Sequence, residues 1–316
     1  MEQGVSSFDL GSPLYLAWQL TNECNLACLH CIEESGPGKR MPDEMSEAQC
    51  RSILEQVIAA QIPYVAFSGG EPMLHPAFFE LAESVCGRGI ELKVETNGVL
   101  LDAPRCARLG RAGVKSVQVS MDGVTQDSYG RLRAGGRLDD VLGGLRRLRE
   151  AGVTTEVNFS PTRCNAGEVG KAVDLAFECG ASAFFTGRTM YTGNAVRSWD
   201  RIAPTEEQYA GYFRVLHEKS AEYGDRMRIC FHEMGLLAEL KCRLEHPAAL
   251  LIVLPNGLVK LINALPFVCG DLREQTLLAV WEHFKTAWRD PRVARFVADM
   301  EVRPELTSEL HRWVRL

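Results

Sequence analysis

Residues 14–31 read LYLAWQLTNECNLACLHC, and this stretch decides how the rest of the chain is interpreted. The apolar run Leu14–Leu20 predicts a buried β-strand, and three cysteines follow it in the spacing C-x3-C-x2-C, at Cys24, Cys28 and Cys31. An iron–sulfur cluster normally takes four thiolates, so three of them leave one corner open to another ligand. A redox cluster with an open corner indicates chemistry rather than structural support.

Short β-branched or aromatic runs alternate with helical patterns beyond this stretch. The predicted strands are Leu14–Leu20, Tyr64–Ser68, Glu91–Thr96, Ser116–Met121, Thr155–Ser160 and Ala183–Gly187. The predicted helices are Ser46–Ala60, Pro76–Gly87, Ala103–Ala112, Leu138–Ala151 and Glu168–Cys179. Strands separated by helices of this length are βα units on a parallel sheet. The sequence therefore predicts an α/β fold, a partial (β/α)6 TIM-like barrel over residues 12–200.

The pattern changes after about residue 200. Thr205 is a candidate N-cap for a helix over Glu206–Tyr223. The turn residues 255–257 then separate two apolar runs, and two helical patterns follow. These runs and helices are Leu250–Leu254, Leu258–Ile262, Leu277–Thr286 and Arg292–Met300. We expect residues 201–316 to form a small α+β extension.

Composition excludes several classes of protein. A net charge of −6 gives no reason to expect nucleic acid as a partner. No apolar run approaches the roughly 18 residues of a membrane span, and the N-terminus lacks a signal-peptide pattern. Eleven cysteines scattered over 316 residues fit free thiols and metal ligands in a reducing compartment. The expectation is a cytoplasmic protein without membrane contact.

Polar motifs follow three further predicted strands. They are Gly69-Gly70-Glu71-Pro72, Glu95-Thr96-Asn97-Gly98 and Ser120-Met121-Asp122-Gly123. Each motif alone could be a turn. In parallel α/β barrels, however, functional residues collect on loops at the carboxyl ends of the strands. Together with the cysteine loop, the three motifs favour a single site at that end.

The four motifs together resemble the radical S-adenosylmethionine (radical SAM) superfamily, over about residues 14–190. The resemblance implies one [4Fe–4S] cluster on Cys24, Cys28 and Cys31, whose fourth iron binds the amino and carboxylate groups of S-adenosylmethionine. It places His30 near the adenine. For the rest of S-adenosylmethionine it implies Gly69, Gly70 and Glu71 at the methionine amino group and Glu95, Asn97, Ser120 and Asp122 at the ribose and carboxylate. Asn158 and Arg188 are further candidates, whose alternatives are a buried hydrogen bond and a surface ion pair.

The resemblance also implies the reaction type. A reduced cluster cleaves S-adenosylmethionine to a 5′-deoxyadenosyl radical, which abstracts hydrogen from a substrate carbon, and the protein positions the substrate. Flavodoxin or ferredoxin is the expected reductant.

Residues 250–281 resemble the auxiliary-cluster extension, called SPASM or twitch, of many radical SAM proteins. Cys242 precedes the hairpin as in that family, but residues 260–263 read KLIN where a cysteine is usual. We therefore expect no auxiliary cluster, which favours redox-neutral outcomes such as decarboxylation, epimerisation or rearrangement. The catalytic residues are unknown. Cys230, Cys242 and Cys269 are candidate hydrogen donors, and each could instead be a buried small apolar residue.

The substrate is the least constrained expectation. Only about thirteen residues precede the first strand, which weighs against a domain that grips a leader peptide. We expect a small-molecule substrate from natural-product biosynthesis, such as a nucleoside or sugar. The alternatives are a dehydrogenase and a peptide-modifying enzyme that matures ribosomal peptides. Of other classes, a structural zinc-binding module could use His30 as the fourth ligand, and a scaffold protein could carry a vestigial cluster.

Overall fold

Eight parallel strands form the centre of the fold in a computed structural model, which describes residues 7–316. In chain order the strands are β1 (Tyr15–Thr21), β2 (Ala27–Cys28), β3 (Tyr64–Gly69), β4 (Glu91–Thr96), β5 (Ser116–Ser120), β6 (Arg133–Ala134), β7 (Thr155–Phe159), β8 (Ala183–Gly187), β9 (Arg228–His232), β10 (Leu250–Val253), β11 (Leu258–Lys260), β12 (Phe267–Asp271) and β13 (Val314–Arg315). The parallel strands lie in the order β10-β1-β3-β4-β5-β7-β8-β9. Their carboxyl ends therefore meet at one end of the sheet.

Helices connect these strands in the pattern that the sequence predicts. They are α1 (Glu47–Ala59), α2 (Phe78–Gly87), α3 (Ala103–Ala112), α4 (Gln126–Leu132), α5 (Leu138–Glu150), α6 (Val169–Glu178), α7 (Asn194–Ile202), α8 (Glu206–Tyr223), α9 (Leu236–Glu245), α10 (Leu277–Ala287) and α11 (Pro291–Val302). The six predicted strands and five predicted helices of the barrel are all present, with bounds within two residues. The α/β partial barrel is confirmed.

Local capping explains why the helix starts were predictable. Thr205 caps α8: the Gln208 amide donates to Thr205 Oγ1 at 3.1 Å, and the Thr205 amide donates to Gln208 Oε1 at 2.9 Å. This reciprocal pair satisfies two amides that a helix start otherwise leaves unpaired. Gly113 ends α3 with φ 78°, where a side chain would be strained.

The parallel sheet continues past residue 200. β9 adds a strand to β8, and β10 pairs in parallel with β1 at the opposite side. Both strands come from the segment that we expected to form a separate extension. One hydrophobic core also runs through both segments and includes Trp18 and Trp281. The division near residue 200 stays a prediction, and it does not coincide with an edge of the sheet.

The antiparallel part of the extension is built on β10. A tight turn with Gly257 at φ 82° connects β10 to β11, and β12 pairs with β11. Asn256 in this turn donates to Asp43 Oδ2 at 3.0 Å, which ties the hairpin to the loop that follows the cysteines. Among the helices of residues 7–316, none combines the length and the apolar character that crossing a bilayer requires.

Candidate functional site

A cavity of about 860 Å³ opens at the carboxyl ends of the parallel strands. Eleven of the thirteen residues predicted to bind the cluster or S-adenosylmethionine line it: Cys24, Cys28, His30, Cys31, Gly69, Gly70, Glu95, Asn97, Ser120, Asn158 and Arg188. Glu71 and Asp122 lie behind the cavity wall and are fully buried. The sequence motifs therefore converge in space, although two of the predicted contact residues do not face the cavity.

The cysteine loop is held from several sides. The Cys24 amide donates to the Gly36 carbonyl at 3.2 Å. Asn194, at the start of α7, donates through its amide to the Cys31 carbonyl at 2.9 Å and through its side chain to the Cys28 carbonyl at 3.0 Å. These bonds fix the loop backbone without using the thiols, which leaves the sulfurs free to bind iron.

The three thiols share an apolar environment. Cys24 and Cys28 are buried with Leu26 in one cluster, and Cys31 packs against it. Burial raises the pKa of Cys24 to about 11 and that of Cys28 to about 12, and it raises the pKa of Cys31. The metal-free thiols are therefore protonated at neutral pH, and binding of iron must displace their protons. Three free cysteines on one wall of a cavity suit a cluster with one open corner.

His30 is engaged with an acid. Its Nε2 lies 2.9 Å from Asp122 Oδ2. Ligation of zinc through this nitrogen would break that contact and leave the Asp122 carboxylate with one partner fewer. Within residues 7–316, no three His, Cys, Asp or Glu side chains are arranged around a single metal ion, so the three thiols line one cavity without forming such a group.

Gly69 and Gly70 are required by close approach of the backbone to itself. The Gly70 amide donates to the Thr21 carbonyl at 2.7 Å, which joins the end of β3 to the start of the cysteine loop. A Cβ at Gly70 would lie 2.1 Å from the Glu23 carbonyl oxygen, and one at Gly69 would lie 2.4 Å from that of Thr21. The sequence predicted that these glycines contact S-adenosylmethionine. In the structure their missing side chains allow the backbone of the cysteine loop to pack against the end of β3.

Gly70→Ala is expected to destabilise the protein by about 1–3 kcal/mol, the usual cost of forcing extra atoms into a packed site. The clash is with backbone, so the cysteine loop has to shift. Urea unfolding of the metal-free protein measures the change. Gly211→Ala is the matched control, because no atom lies within 4 Å of a Cβ at this position in α8 and the helix gains up to about 1 kcal/mol. Equal stability of the two variants would contradict the packing argument.

Glu71 links β3 to β4 from behind the cavity. Its carboxylate accepts hydrogen bonds from Thr96 Oγ1 at 2.8 and 2.9 Å, from the Asn97 amide at 2.9 Å and from the Met73 amide at 3.3 Å. Burial raises the pKa of Glu71 to about 7 in spite of these bonds. The contact of Glu71 with the methionine amino group stays a prediction. In the structure the carboxylate binds Thr96 and Asn97 at the end of β4 and in the loop that follows it.

Asn97 extends this link to the cysteines. Its Nδ2 lies 3.6 Å from Cys24 Sγ and donates to Asn25 Oδ1 at 2.8 Å. Glu71, Asn97 and Cys24 therefore form one chain of contacts from the buried loop to the first thiol.

Asp122 forms the buried centre of a second network. Its Oδ2 accepts from Arg133 Nε at 2.6 Å and contacts His30, and its Oδ1 accepts from the Ser160 amide at 2.7 Å. Burial alone would raise the pKa of Asp122, but Arg133 and His30 hold it below its usual range. The carboxylate is thus ionised and oriented, with no face toward the cavity.

The middle of the cavity is polar. Glu95, Ser120 and Asn158 lie on the neighbouring strands β4, β5 and β7. Burial raises the pKa of Glu95, and the nearby Lys93 opposes this shift while pairing with Glu156 at 2.8 Å. Glu95 therefore presents a carboxylate to the cavity while the adjacent cation is already bound elsewhere.

Arg188 reaches the rim of the cavity but is bound there. Its guanidinium makes two bonds to the Glu206 carboxylate, at 2.8 and 2.9 Å, and stacks 4.3 Å from the centre of the Tyr209 ring. The ion pair that we considered as the alternative for Arg188 is present.

The three candidate hydrogen donors have different surroundings. Cys230, on β9, lines the cavity. Cys242 is exposed on α9, and Cys269 is buried and donates to the Val259 carbonyl at 3.5 Å. Lys260, in the segment where a cysteine is usual, is buried and donates to the carbonyl oxygens of Asn263 and Leu310. These cysteines do not line one common site.

Sequence reasoning missed several residues of the cavity, including Arg133, Lys93, Gln118, Phe185 and His232. The alternation of side chains along a strand could have indicated Lys93 and Gln118, since each lies two residues before a predicted site residue on the same face. Arg133 follows the short helix α4, and no local pattern marks it.

Residues 18–161 match the family model of the radical SAM superfamily. The mycofactocin maturase MftC of Mycolicibacterium smegmatis is 34% identical over 238 residues, which are 73% of this chain and 59% of the maturase. The AdoMet-dependent heme synthase of Methanosarcina barkeri is 27% identical over 89% of this chain and 86% of the synthase. The PqqA peptide cyclase of Gluconobacter oxydans is 30% identical over 67% of this chain and 59% of the cyclase.

The fold is similar to that of solved structures as well. The structure of Streptococcus suis SuiB bound to precursor peptide SuiA superposes with a TM-score of 0.70 at 17% identity, over 90% of this chain and 66% of SuiB. The chain spans about three fifths of the length of the maturase and of the cyclase. This chain belongs to the radical SAM superfamily, and its cofactors are a [4Fe–4S] cluster and S-adenosylmethionine.

Proposed function

We propose that this chain is an enzyme that cleaves S-adenosylmethionine reductively at a cluster held by Cys24, Cys28 and Cys31. The observation that carries the proposal is the convergence of these thiols with the strand-end motifs around one cavity. When bound, the cofactors supply a 5′-deoxyadenosyl radical that abstracts hydrogen. The chain supplies the position of the substrate within this cavity.

Different residues of the cavity are proposed to contact different parts of the cofactor and the substrate. Gly69 and Gly70 bring backbone next to the cysteine loop, where the methionine end of the cofactor would bind. Glu95, Ser120 and Asn158 are placed to accept or donate hydrogen bonds to the ribose or to the substrate. His30, held by Asp122, has its ring fixed beside the third cysteine, which suits a contact with the adenine.

The substrate that we propose is a peptide. Support comes from the relatives, which include a maturase and a peptide cyclase at 30% identity or more, and from the precursor peptide in the SuiB structure. These similarities favour a peptide-modifying enzyme over the main prediction from the sequence, which was a nucleoside or sugar substrate. The heme synthase matches a larger share of both chains, which makes an iron porphyrin the second candidate.

The extension is proposed to work without an auxiliary cluster. Cys242 is exposed, Cys269 is buried, and Lys260 bonds to backbone carbonyls. Cys230 is the candidate donor that faces the cavity, so its thiol is placed to give a hydrogen atom to a substrate radical. The thiyl radical left on Cys230 would then take one electron from the external reductant and one proton from solvent. Flavodoxin or ferredoxin as the reductant stays a prediction.

Anaerobically reconstituted protein tests this function with dithionite as the reductant. We expect formation of 5′-deoxyadenosine from S-adenosylmethionine, increased by a synthetic copy of a short peptide encoded beside the gene and unchanged by an iron porphyrin. Cys230→Ala is expected to keep this cleavage and to lose transfer of solvent deuterium into the product. Absence of 5′-deoxyadenosine would refute the activity, whereas turnover of the porphyrin alone would refute the peptide substrate.

A further inference from the structure

Arg133 is a buried cation that touches the cysteine loop. Its side chain is 8% exposed, and its Nη1 lies 3.7 Å from Cys28 Sγ. Within the part of the chain that the structure describes, the Arg133 guanidinium therefore contacts a thiol of the cysteine loop directly.

The backbone fixes Arg133 relative to Cys28. The two residues face each other in the short antiparallel ladder between β2 and β6, and the Leu29 amide donates to the Leu132 carbonyl at 2.9 Å. A shift of the cysteine loop would therefore move against this ladder, so the distance from guanidinium to sulfur is set by main-chain bonds.

Asp122 sets the direction of the guanidinium. Arg133 Nε donates to Asp122 Oδ2 at 2.6 Å, which turns Nη1 toward Cys28. The same oxygen contacts His30, and the Ser160 amide holds the other carboxylate oxygen. His30 and the Ser160 amide therefore hold the Asp122 carboxylate in place independently of the contact between Arg133 and Cys28.

A buried ion pair is weak evidence for stability. Removing both charges from water is costly, and an apolar pair of similar volume often stabilises the fold as well. The position of this pair suggests another use, because hydrogen bonds to the sulfurs and nearby charge are among the factors that set the reduction potential of an iron–sulfur cluster.

We propose that Arg133 is a positioning residue that raises the reduction potential of the cluster through its contact with Cys28, and that Asp122 orients it for this role. The proposal rests on the proposed cluster ligands. Reduction adds negative charge to the cluster, so a cation at this distance favours the reduced form. The residue would thereby bring the cluster within reach of a biological one-electron donor.

Redox titration of the reconstituted cluster, followed by electron paramagnetic resonance, tests the proposal. Arg133→Gln is expected to lower the equilibrium constant for one-electron reduction about tenfold, which is about 59 mV. Arg133→Lys keeps the charge and should recover part of this loss. Arg131→Gln is the matched control, because it removes the same charge two residues away, where Arg131 is exposed and pairs with Asp127.

An unchanged potential in Arg133→Gln, or an equal change in Arg131→Gln, would overturn the proposal. If Arg133→Gln holds no cluster, Arg133→Lys decides: the shorter side chain cannot keep both the bond to Asp122 and the contact with Cys28, so the potential should fall, and an unchanged or higher value counts against the role. Absence of a cluster from the unaltered protein would instead refute the proposed ligands, and the two failures are therefore distinguishable.

Discussion

Replacing Cys28 by alanine is expected to remove the cluster and to abolish formation of 5′-deoxyadenosine. Cys28 is buried in the apolar pocket of the cysteine loop, together with Cys24 and Leu26. Two thiolates cannot hold a cubane [4Fe–4S] cluster whose fourth iron is left open for S-adenosylmethionine. Iron and sulfide analysis of the reconstituted protein, together with an assay for 5′-deoxyadenosine, measures both effects.

The unaltered protein should contain about four iron atoms, the content of one cubane cluster. Cys269→Ala is the matched control: this buried cysteine lies in the extension and bonds to a backbone carbonyl, so its loss should leave the iron content unchanged. About eight irons in the unaltered protein, with a loss in Cys269→Ala, would show an auxiliary cluster and contradict the prediction of a single one. Full iron content in Cys28→Ala would contradict the proposed ligands.

Replacing Glu71 by alanine is expected to destabilise the protein even without cofactors. The carboxylate satisfies Thr96 Oγ1 and the amides of Asn97 and Met73, all in the interior. A buried donor left without an acceptor costs about 1–3 kcal/mol, so three of them amount to several kcal/mol. Urea unfolding of the metal-free protein measures this loss of stability.

Replacing Glu95 by glutamine is expected to weaken ligand binding and to leave the stability of the metal-free protein intact, because Glu95 lines the cavity. Glu95 faces the cavity and burial disfavours its charge, so the metal-free protein should keep or slightly increase its stability. Binding of S-adenosylmethionine or of the substrate should weaken instead, which equilibrium binding to the reconstituted protein measures. If Glu71→Ala left the metal-free protein as stable as before and weakened only the binding of S-adenosylmethionine, Glu71 would be a ligand contact, as the sequence suggested.

The barrel was predictable because each unit carries its own local signals. The alternating polar and apolar residues that form β4 and the helix that begins after Asp102 have clear limits in the sequence. β9 was missed because its five residues, RICFH, begin with arginine and end with histidine and leave only three apolar positions between them, so that its pattern is too short to recognise. Its paired residues on β8 lie 45 positions earlier, as for Ala183 and Arg228, and no local rule connects the two strands.

The sequence predicted which motifs form the site, but it did not predict the contacts that each side chain makes there. The glycines, Asn97 and the cysteines converge as expected. The roles of Glu71 and Asp122 depend on which side of a loop each carboxylate faces, and spacing does not reveal that. Arg133 was invisible for a related reason: it acts on Cys28 across 105 positions of the chain.

Among residues 7–316 the parallel sheet does not close into a ring, since β9 pairs with β8 alone while β10 pairs with β1 and β11. Leu236 and Glu239 of α9 and Ile252 of β10 line the cavity near these two unjoined strands. Since β9 and β10 share no ladder of main-chain hydrogen bonds, side-chain packing such as that of the buried Leu240 holds the barrel together at this point.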